Sequence, residues 1–127
     1  MHKSKLAGFI IDCQTDDLKA AAEFWSAALG MPMEQLPDEE GQKYIKLQSP
    51  AHQLNIEVQT VSHPSRVHLD IETNDIEAEV KRLSALGARE LERVKTWVIM
   101  EAPTGQRFCV VNATADALSG DNANRWE

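Results

Sequence analysis

The sequence predicts an α+β fold of two βαβββ modules whose strands form one curled mixed sheet around a cavity. A strand, a turn and an amphipathic helix occur at Phe9–Gly30, FIIDCQTDDLKAAAEFWSAALG, and again at Val67–Gly87, VHLDIETNDIEAEVKRLSALG. Short strand-like segments follow each helix. Such a module leaves one sheet face without a helix, and pairing two modules turns these free faces toward a shared cavity.

An internal duplication supports the two-module reading. When the first half is moved by 58 positions, the following identical pairs coincide: Asp12 on Asp70, Thr15 on Thr73, Asp17 on Asp75, Ala20 on Ala78, Ser26 on Ser84 and Ala27 on Ala85. The order of strand, turn and helix matches as well, although the helix-ending glycines Gly30 and Gly87 are one residue out of step. We therefore expect Asp12 and Asp70 to hold equivalent places on the first strand of each module.

The first module begins with an apolar strand at Leu6–Cys13. Asp16 and Asp17 suit a helix start, and Gly30 ends the helix. The apolar stripe of this helix contains Leu18, Ala21, Ala22, Trp25, Ala28 and Leu29. We also assign Phe24 to the core. Two or three strands follow in a meander, and two of them are assigned at Lys43–Gln48 and Leu54–Val58, with a turn at Ser49–His52 between them.

The second module follows a linker at Val61–Arg66. Val67–Glu72 reads as a strand, and Asn74 with Glu77 three residues later resembles a capping box. Ile76, Val80, Leu83 and Leu86 form the stripe of the next helix. The remaining predicted strands are Arg89–Val94, Thr96–Ala102 and Arg107–Asn112.

Length and charge limit the possible functions. The 127 residues predict one domain over 1–114, with modules at 6–60 and 66–112, and a loose polar tail at 115–127. Trp126 is unusual in such a tail, and docking on the body or on a partner is the alternative for it. The net charge of −7 disfavours nucleic acid and anionic membranes as partners. No apolar run spans a bilayer, so we expect a cytoplasmic protein. There, Cys13 and Cys109 are expected to be reduced and buried.

Three segments resemble the vicinal oxygen chelate superfamily, the fold of glyoxalase I, bleomycin-resistance proteins and extradiol dioxygenases. They are DDLKAAAEFWSAALGM at Asp16–Met31, RVHLDIETND at Arg66–Asp75 and APTGQRFCVV at Ala102–Val111. The chain looks most like the small glyoxalase-like members. This resemblance implies a small-molecule ligand in the cavity and a homodimer.

The resemblance also implies positions for a divalent metal. The family's ligand positions correspond to Ile10, His68 and Cys109, and the fourth is Glu57 by strand alternation or Ile56 if Pro50 is aligned with Pro103. We favour Glu57, because burying it on the helix side would be costly unless it were paired. Since Ile10 cannot bind a metal, the predicted ligands are His68, Glu57 and Cys109, a set most compatible with zinc.

A second interpretation of the same region is acid–base catalysis. Asp12, His68 and Asp70 are predicted to face away from the helices, where two carboxylates near an imidazole would supply a general base. The structural alternative is that His68 only hydrogen-bonds to Asp12 or Asp70, and that each carboxylate pairs with Arg66 or Arg107. The predicted cavity lining comprises Gln14, Asn55, Gln59, Trp97 and Arg107.

Three functions remain open from the sequence. One is a lyase or isomerase acting on a carbonyl-bearing substrate, favoured by His68 and its carboxylates. Another is a binding or drug-sequestering protein without a metal, favoured by Ile10 and Cys109. The third is a protein-partner module whose curled sheets bury a dimer interface and leave no open cavity. We also expect His2, His52 and His63, at the terminus or in turns, to lie in solvent.

Overall fold

The computed structural model describes residues 1–49, 54–114, 116–120 and 122–127. Two compact units contain them: an N-terminal unit, Gly8–His68, and a C-terminal unit, Met1–Ala7 with Leu69–Glu127. In each unit one longer helix covers one face of a mixed sheet, so the predicted α+β class is confirmed. The turn predicted at Ser49–His52, and His52 itself, lie outside the described residues except for Ser49.

The secondary structure follows the order βαβββ in each unit, with additions. The elements are β1 (His2–Gln14), α1 (Leu18–Leu29), β2 (Met33–Gln35), α2 (Glu40–Lys43), β3 (Tyr44–Leu47), β4 (Asn55–Val61), β5 (Arg66–Thr73), α3 (Ile76–Ala85), β6 (Arg89–Val94), β7 (Trp97–Glu101), β8 (Arg107–Asn112) and β9 (Asn124–Trp126). The strands at β6 and β8 have the predicted bounds. The sequence interpretation missed β2, α2 and β9.

In the N-terminal unit, β2 pairs antiparallel with β3, β3 pairs antiparallel with β4, and β4 runs parallel to β1. The helix α1 starts as predicted, because the Asp17 side chain accepts the N–H of Ala20, and it ends at Gly30 with φ 68°. The core between α1 and the sheet contains Ile11, Ala22, Ile45, Leu47, Ile56 and Val58.

In the C-terminal unit, β5 runs parallel to β8, while β8–β7 and β7–β6 pair antiparallel. Its core contains Val80, Leu83, Val98, Met100, Phe108 and Val110. The predicted cap of α3 is wrong by one residue. The Asp75 carboxylate accepts the N–H of Ala78 and caps the helix. Asn74 does not cap it, because its Oδ1 already accepts the N–H of Lys3 in β1 at 2.8 Å.

Other expectations about burial were also wrong. Phe24 is 62% exposed, since it lies beside the stripe of α1 that packs on the sheet, whereas Trp25 does pack against the core. His2 is only 7% exposed. Within the tail predicted to be loose, β9 pairs antiparallel with His2–Ser4 of β1. A terminal strand is ordered when a neighbouring strand satisfies its backbone groups.

Candidate functional site

One face of the N-terminal sheet carries no helix, and we call it the free face. Ile11, Ile45 and Ile56, on β1, β3 and β4, point into the core under α1. Side chains alternate along a strand, so the neighbours of these residues on each strand point to the opposite face. The free face therefore presents Ile10 and Asp12 from β1, Tyr44 and Lys46 from β3, and Asn55, Glu57 and Gln59 from β4.

Strand register arranges polar residues of this face in two rows. Gln59 lies opposite both Tyr44 and Asp12, and Glu57 lies opposite both Lys46 and Ile10. The Gln59 amide donates to the Tyr44 hydroxyl oxygen over 3.0 Å. The Asn55 amide donates to the Glu57 carboxylate over 2.8 Å. The predicted lining residues Asn55 and Gln59 thus lie on one face with Asp12.

Asp12 holds His68 by a short hydrogen bond. The Asp12 side chain is 2% exposed, and its Oδ2 lies 2.7 Å from His68 Nδ1. A carboxylate oxygen accepts hydrogen bonds, so His68 Nδ1 is the donor in this contact. This carboxylate–imidazole arrangement is the one that orients a histidine for proton transfer.

Arg66 lies at the same carboxylate. Its Nε is 3.9 Å from Asp12 Oδ2, and its side chain is 41% exposed. The second oxygen, Asp12 Oδ1, is buried and has no hydrogen-bond partner among the residues that the structure describes. The structure therefore contains both pairings that the sequence left open for Asp12, one with His68 and one with Arg66. One of its two carboxylate oxygens nevertheless accepts no hydrogen bond from the described residues.

Gln14 lies at the end of β1, beyond the rows of the free face. Its side-chain amide donates to the Ser62 carbonyl oxygen over 2.9 Å, and its backbone N–H donates to Ser65 Oγ over 2.9 Å. Gln14 thus holds the linker that leads into Arg66 and His68. Its predicted place in a ligand site remains a prediction.

The other predicted residues belong to the C-terminal unit. Asp70 lies opposite Cys109 in the β5–β8 ladder, and Cys109 lies opposite Ile99. Trp97 alternates with the core residue Val98, so it faces away from α3. Arg107 is exposed. The cysteines are free as expected but only partly buried, and burial raises the pKa of the Cys13 thiol.

The donors at the family's metal positions do not match its pattern. Ile10 and Glu57 are register partners in the N-terminal unit, and only Glu57 has a donor atom. Glu57 rather than Ile56 faces away from α1, as strand alternation predicted, because Ile56 is in the core. With an isoleucine and a thiol at two of the four positions, these residues do not fit the family's metal centre. The set His68, Glu57 and Cys109 stays a prediction.

Three residues of this region were not among the predicted site residues: Tyr44, Lys46 and Arg66. Tyr44 and Lys46 alternate with the core residues Ile45 and Leu47, and this alternation could have placed both on the free face. The pattern was hard to recognise because Tyr44 and Ile45 are adjacent and both are large and at least partly apolar. Arg66 was considered only as a partner for a carboxylate, because it ends a linker rather than lying within a predicted strand.

Comparison with known families identifies the chain. The model of the glyoxalase-like domain matches residues 8–111. The chain belongs to the glyoxalase-like domain family. This confirms the resemblance predicted from the three sequence segments. No curated protein matches this glyoxalase-like domain.

Solved structures share the fold of this glyoxalase-like domain. A hypothetical protein of Bacillus halodurans C-125 is 13% identical, with 87% of this chain and 95% of that chain covered and a TM-score of 0.65. Methylmalonyl-CoA epimerase of Mycobacterium tuberculosis is 17% identical, with 91% of each chain covered and a TM-score of 0.63. A glyoxalase/bleomycin resistance protein/dioxygenase superfamily member of Vibrio splendidus 12B01 is 16% identical, with 85% and 98% covered and a TM-score of 0.54.

These likenesses place the glyoxalase-like domain in the vicinal oxygen chelate fold, as predicted. At such identities they describe the fold alone. Among the helices in the described part of the chain, none has the length and apolar character needed to span a membrane.

Proposed function

We propose that this glyoxalase-like domain binds a small carbonyl-bearing molecule on the free face and moves a proton at the carbon beside the carbonyl. The reaction class is isomerase or lyase. The observation that carries the proposal is the 2.7 Å hydrogen bond from His68 to the buried Asp12 carboxylate. The fold neighbour named an epimerase supports this class of chemistry.

The proposed step uses only residues of the chain. His68 Nε2 takes the proton from the carbon next to the carbonyl, and the electrons of the broken C–H bond form an enolate. Asp12 stabilises the resulting imidazolium through the bond to Nδ1–H. In an isomerase the imidazolium returns the proton to a different carbon of the delocalised anion, because return to the same carbon from the same side would regenerate the substrate. In a lyase the enolate electrons expel a leaving group from the next carbon, and the imidazolium gives its proton to that group.

Proton exchange in D₂O tests this proposal. Carbonyl compounds with an acidic C–H are incubated with the protein, and loss of the proton signal is followed by NMR. We expect His68→Gln to lower the exchange rate roughly 10²- to 10⁴-fold, the usual contribution of a general base. Asp12→Asn should lower it as well, because the imidazole loses its carboxylate partner.

His63→Gln is the matched control, since His63 lies in the linker, with its Nδ1 near the Pro64 carbonyl oxygen at 2.8 Å. It should exchange like the wild type. If the wild-type protein binds such compounds but exchanges none faster than His68→Gln, the catalytic proposal fails.

A second candidate is a binding protein without catalysis. It is favoured by Ile10, an apolar side chain, 4% exposed, at a position where the family resemblance implies a metal ligand. Tight binding without exchange in the experiment above would support this alternative. The homodimer, the cytoplasmic location, the single-domain bounds 1–114 and the zinc set remain predictions from the sequence.

A further inference from the structure

We propose that Arg66 is the specificity-determining residue of this site and that the ligand carries an anionic group, a carboxylate or a phosphate, bound by the Arg66 guanidinium. This inference rests on the proposed site at Asp12 and His68. It goes beyond the proposed chemistry because it specifies the charge of the ligand and the residue that binds the charged group.

The first argument is the hydrogen bonding of Arg66. Its Nε is 3.9 Å from Asp12 Oδ2, which is too long for a hydrogen bond, and His68 occupies that oxygen at 2.7 Å. Asp12 therefore holds the guanidinium by charge but takes none of its N–H groups. A guanidinium has five N–H donors in a planar fork that matches a carboxylate or a phosphate. No described residue accepts a hydrogen bond from the Arg66 side chain.

The second argument is a comparison within the same chain. Arg82 donates to both oxygens of Glu79, at 2.8 Å each, and its guanidinium lies 3.8 Å from the centre of the Trp126 ring. A structural arginine in this protein thus uses its donors and is covered. Arg66 has the same charge beside a buried carboxylate, but its side chain is 41% exposed and makes no such bonds.

The third argument is position. Arg66 and His68 are two residues apart on β5, so both side chains point to one side of the strand, and both reach Asp12 Oδ2. An anion on the guanidinium would lie close to the imidazole. The fitting ligand is therefore compact, with its anionic group only a few bonds from the acidic C–H. Since the chain has a net charge of −7, such an anion needs a local cation, which Arg66 supplies.

Calorimetric binding with three probes tests the inference: pyruvate, dihydroxyacetone phosphate and neutral hydroxyacetone. We expect the wild type to bind at least one anionic probe at least tenfold more tightly than hydroxyacetone. Arg66→Gln should weaken that binding at least tenfold and leave hydroxyacetone binding unchanged, and Arg66→Lys should restore part of the loss. The anionic probe that binds more tightly distinguishes a carboxylate from a phosphate.

Arg125→Gln is the matched control, because Arg125 is an exposed arginine on β9. It should bind all three probes like the wild type. Equal binding of the anionic probes by wild type and Arg66→Gln, or no preference over hydroxyacetone in the wild type, would overturn the inference. The readout needs no turnover, so loss of binding in Arg66→Gln without any proton exchange would uphold this inference while the proposed catalysis fails. Exchange of an anionic probe, below its saturating concentration, that depends on His68 but not on Arg66 would uphold the proposed catalysis and overturn this inference.

Discussion

Two clusters of this protein have the same chemical composition: a buried carboxylate, a histidine and an arginine. In the N-terminal unit they are Asp12, His68 and Arg66, and in the C-terminal unit they are Glu79, His2 and Arg82. Each carboxylate contacts its histidine at 2.7 Å, and the exposed fractions are 2% for Asp12 and 0% for Glu79. They are not related by the internal duplication, which aligns Asp12 with Asp70.

The clusters differ in how completely their polar atoms are bonded. Glu79 accepts from His2 and from two nitrogens of Arg82, and Arg82 is covered by Trp126. In contrast, Asp12 Oδ1 has no hydrogen-bond partner among the described residues, and the Arg66 side chain is 41% exposed to solvent. Both oxygens of Glu79 are therefore occupied by hydrogen bonds within the protein, whereas Asp12 keeps one oxygen unoccupied in the described part of the chain. The comparison favours a structural role for the Glu79 cluster and supports the proposal that a ligand binds at the Asp12 cluster.

Protonation behaviour supports the structural role of Glu79. Burial alone would raise the pKa of Glu79, but hydrogen bonds from Arg82, His2 and Ser4 outweigh it and lower the pKa to about 2. The same carboxylate raises the pKa of Arg82. Both charges are therefore kept across the neutral range.

The largest expected difference is in stability. Glu79→Gln should lower the free energy of unfolding by about 3–5 kcal/mol, because it leaves the cation of Arg82 partly buried without its carboxylate. Asp12→Asn should cost only about 1 kcal/mol, since Arg66 is exposed and one carboxylate oxygen is already unbonded. Urea unfolding of the two amide variants measures both. Equal losses would break the comparison.

Acid should act mainly through the Glu79 cluster. A carboxyl group whose folded pKa is below its unfolded value contributes stability above the unfolded pKa and loses it as pH falls through the folded pKa. For Glu79 the window runs from its ordinary value of 4.5 down to about 2. We expect a loss of roughly 2–3 kcal/mol from Glu79 across this window. Unfolding curves of wild type and Glu79→Gln should converge toward pH 2, and parallel curves would contradict the assignment.

The smallest expected effect concerns Trp126, whose ring stacks on the Arg82 guanidinium. Trp126 donates from its ring N–H to Ser4 Oγ over 2.9 Å as well as stacking on Arg82. Trp126→Ala should cost about 1–2 kcal/mol and speed hydrogen exchange in β9. Trp126→Phe keeps a ring and should lose about half as much. If neither variant changes exchange at Asn124 or Arg125, β9 is not held by this residue.

The local elements followed from the sequence. Helix α1 and strands β6 and β8 agree with prediction because capping residues, glycine ends and apolar spacing act over a few neighbouring residues. The duplication and the three matching segments identified the family, and alternation placed Asp12 and Glu57 on the side away from α1. The bond between His68 and Asp12 was foreseen as one of two alternatives.

Only the tertiary structure decided which of the two buried carboxylates, Glu79 or Asp12, has both oxygens hydrogen-bonded. His2 is 77 positions from Glu79, and Trp126 is 122 positions from Ser4, so no local pattern links them. The sequence interpretation placed His2 in solvent and the tail outside the fold, because terminal polar residues usually lie there. The sequence alone determined where the two longer helices and most of the strands lie and which carboxylates face away from the helices. Hydrogen-bond saturation depends on the distances between side chains far apart in the chain, and these exist only once the strands have paired.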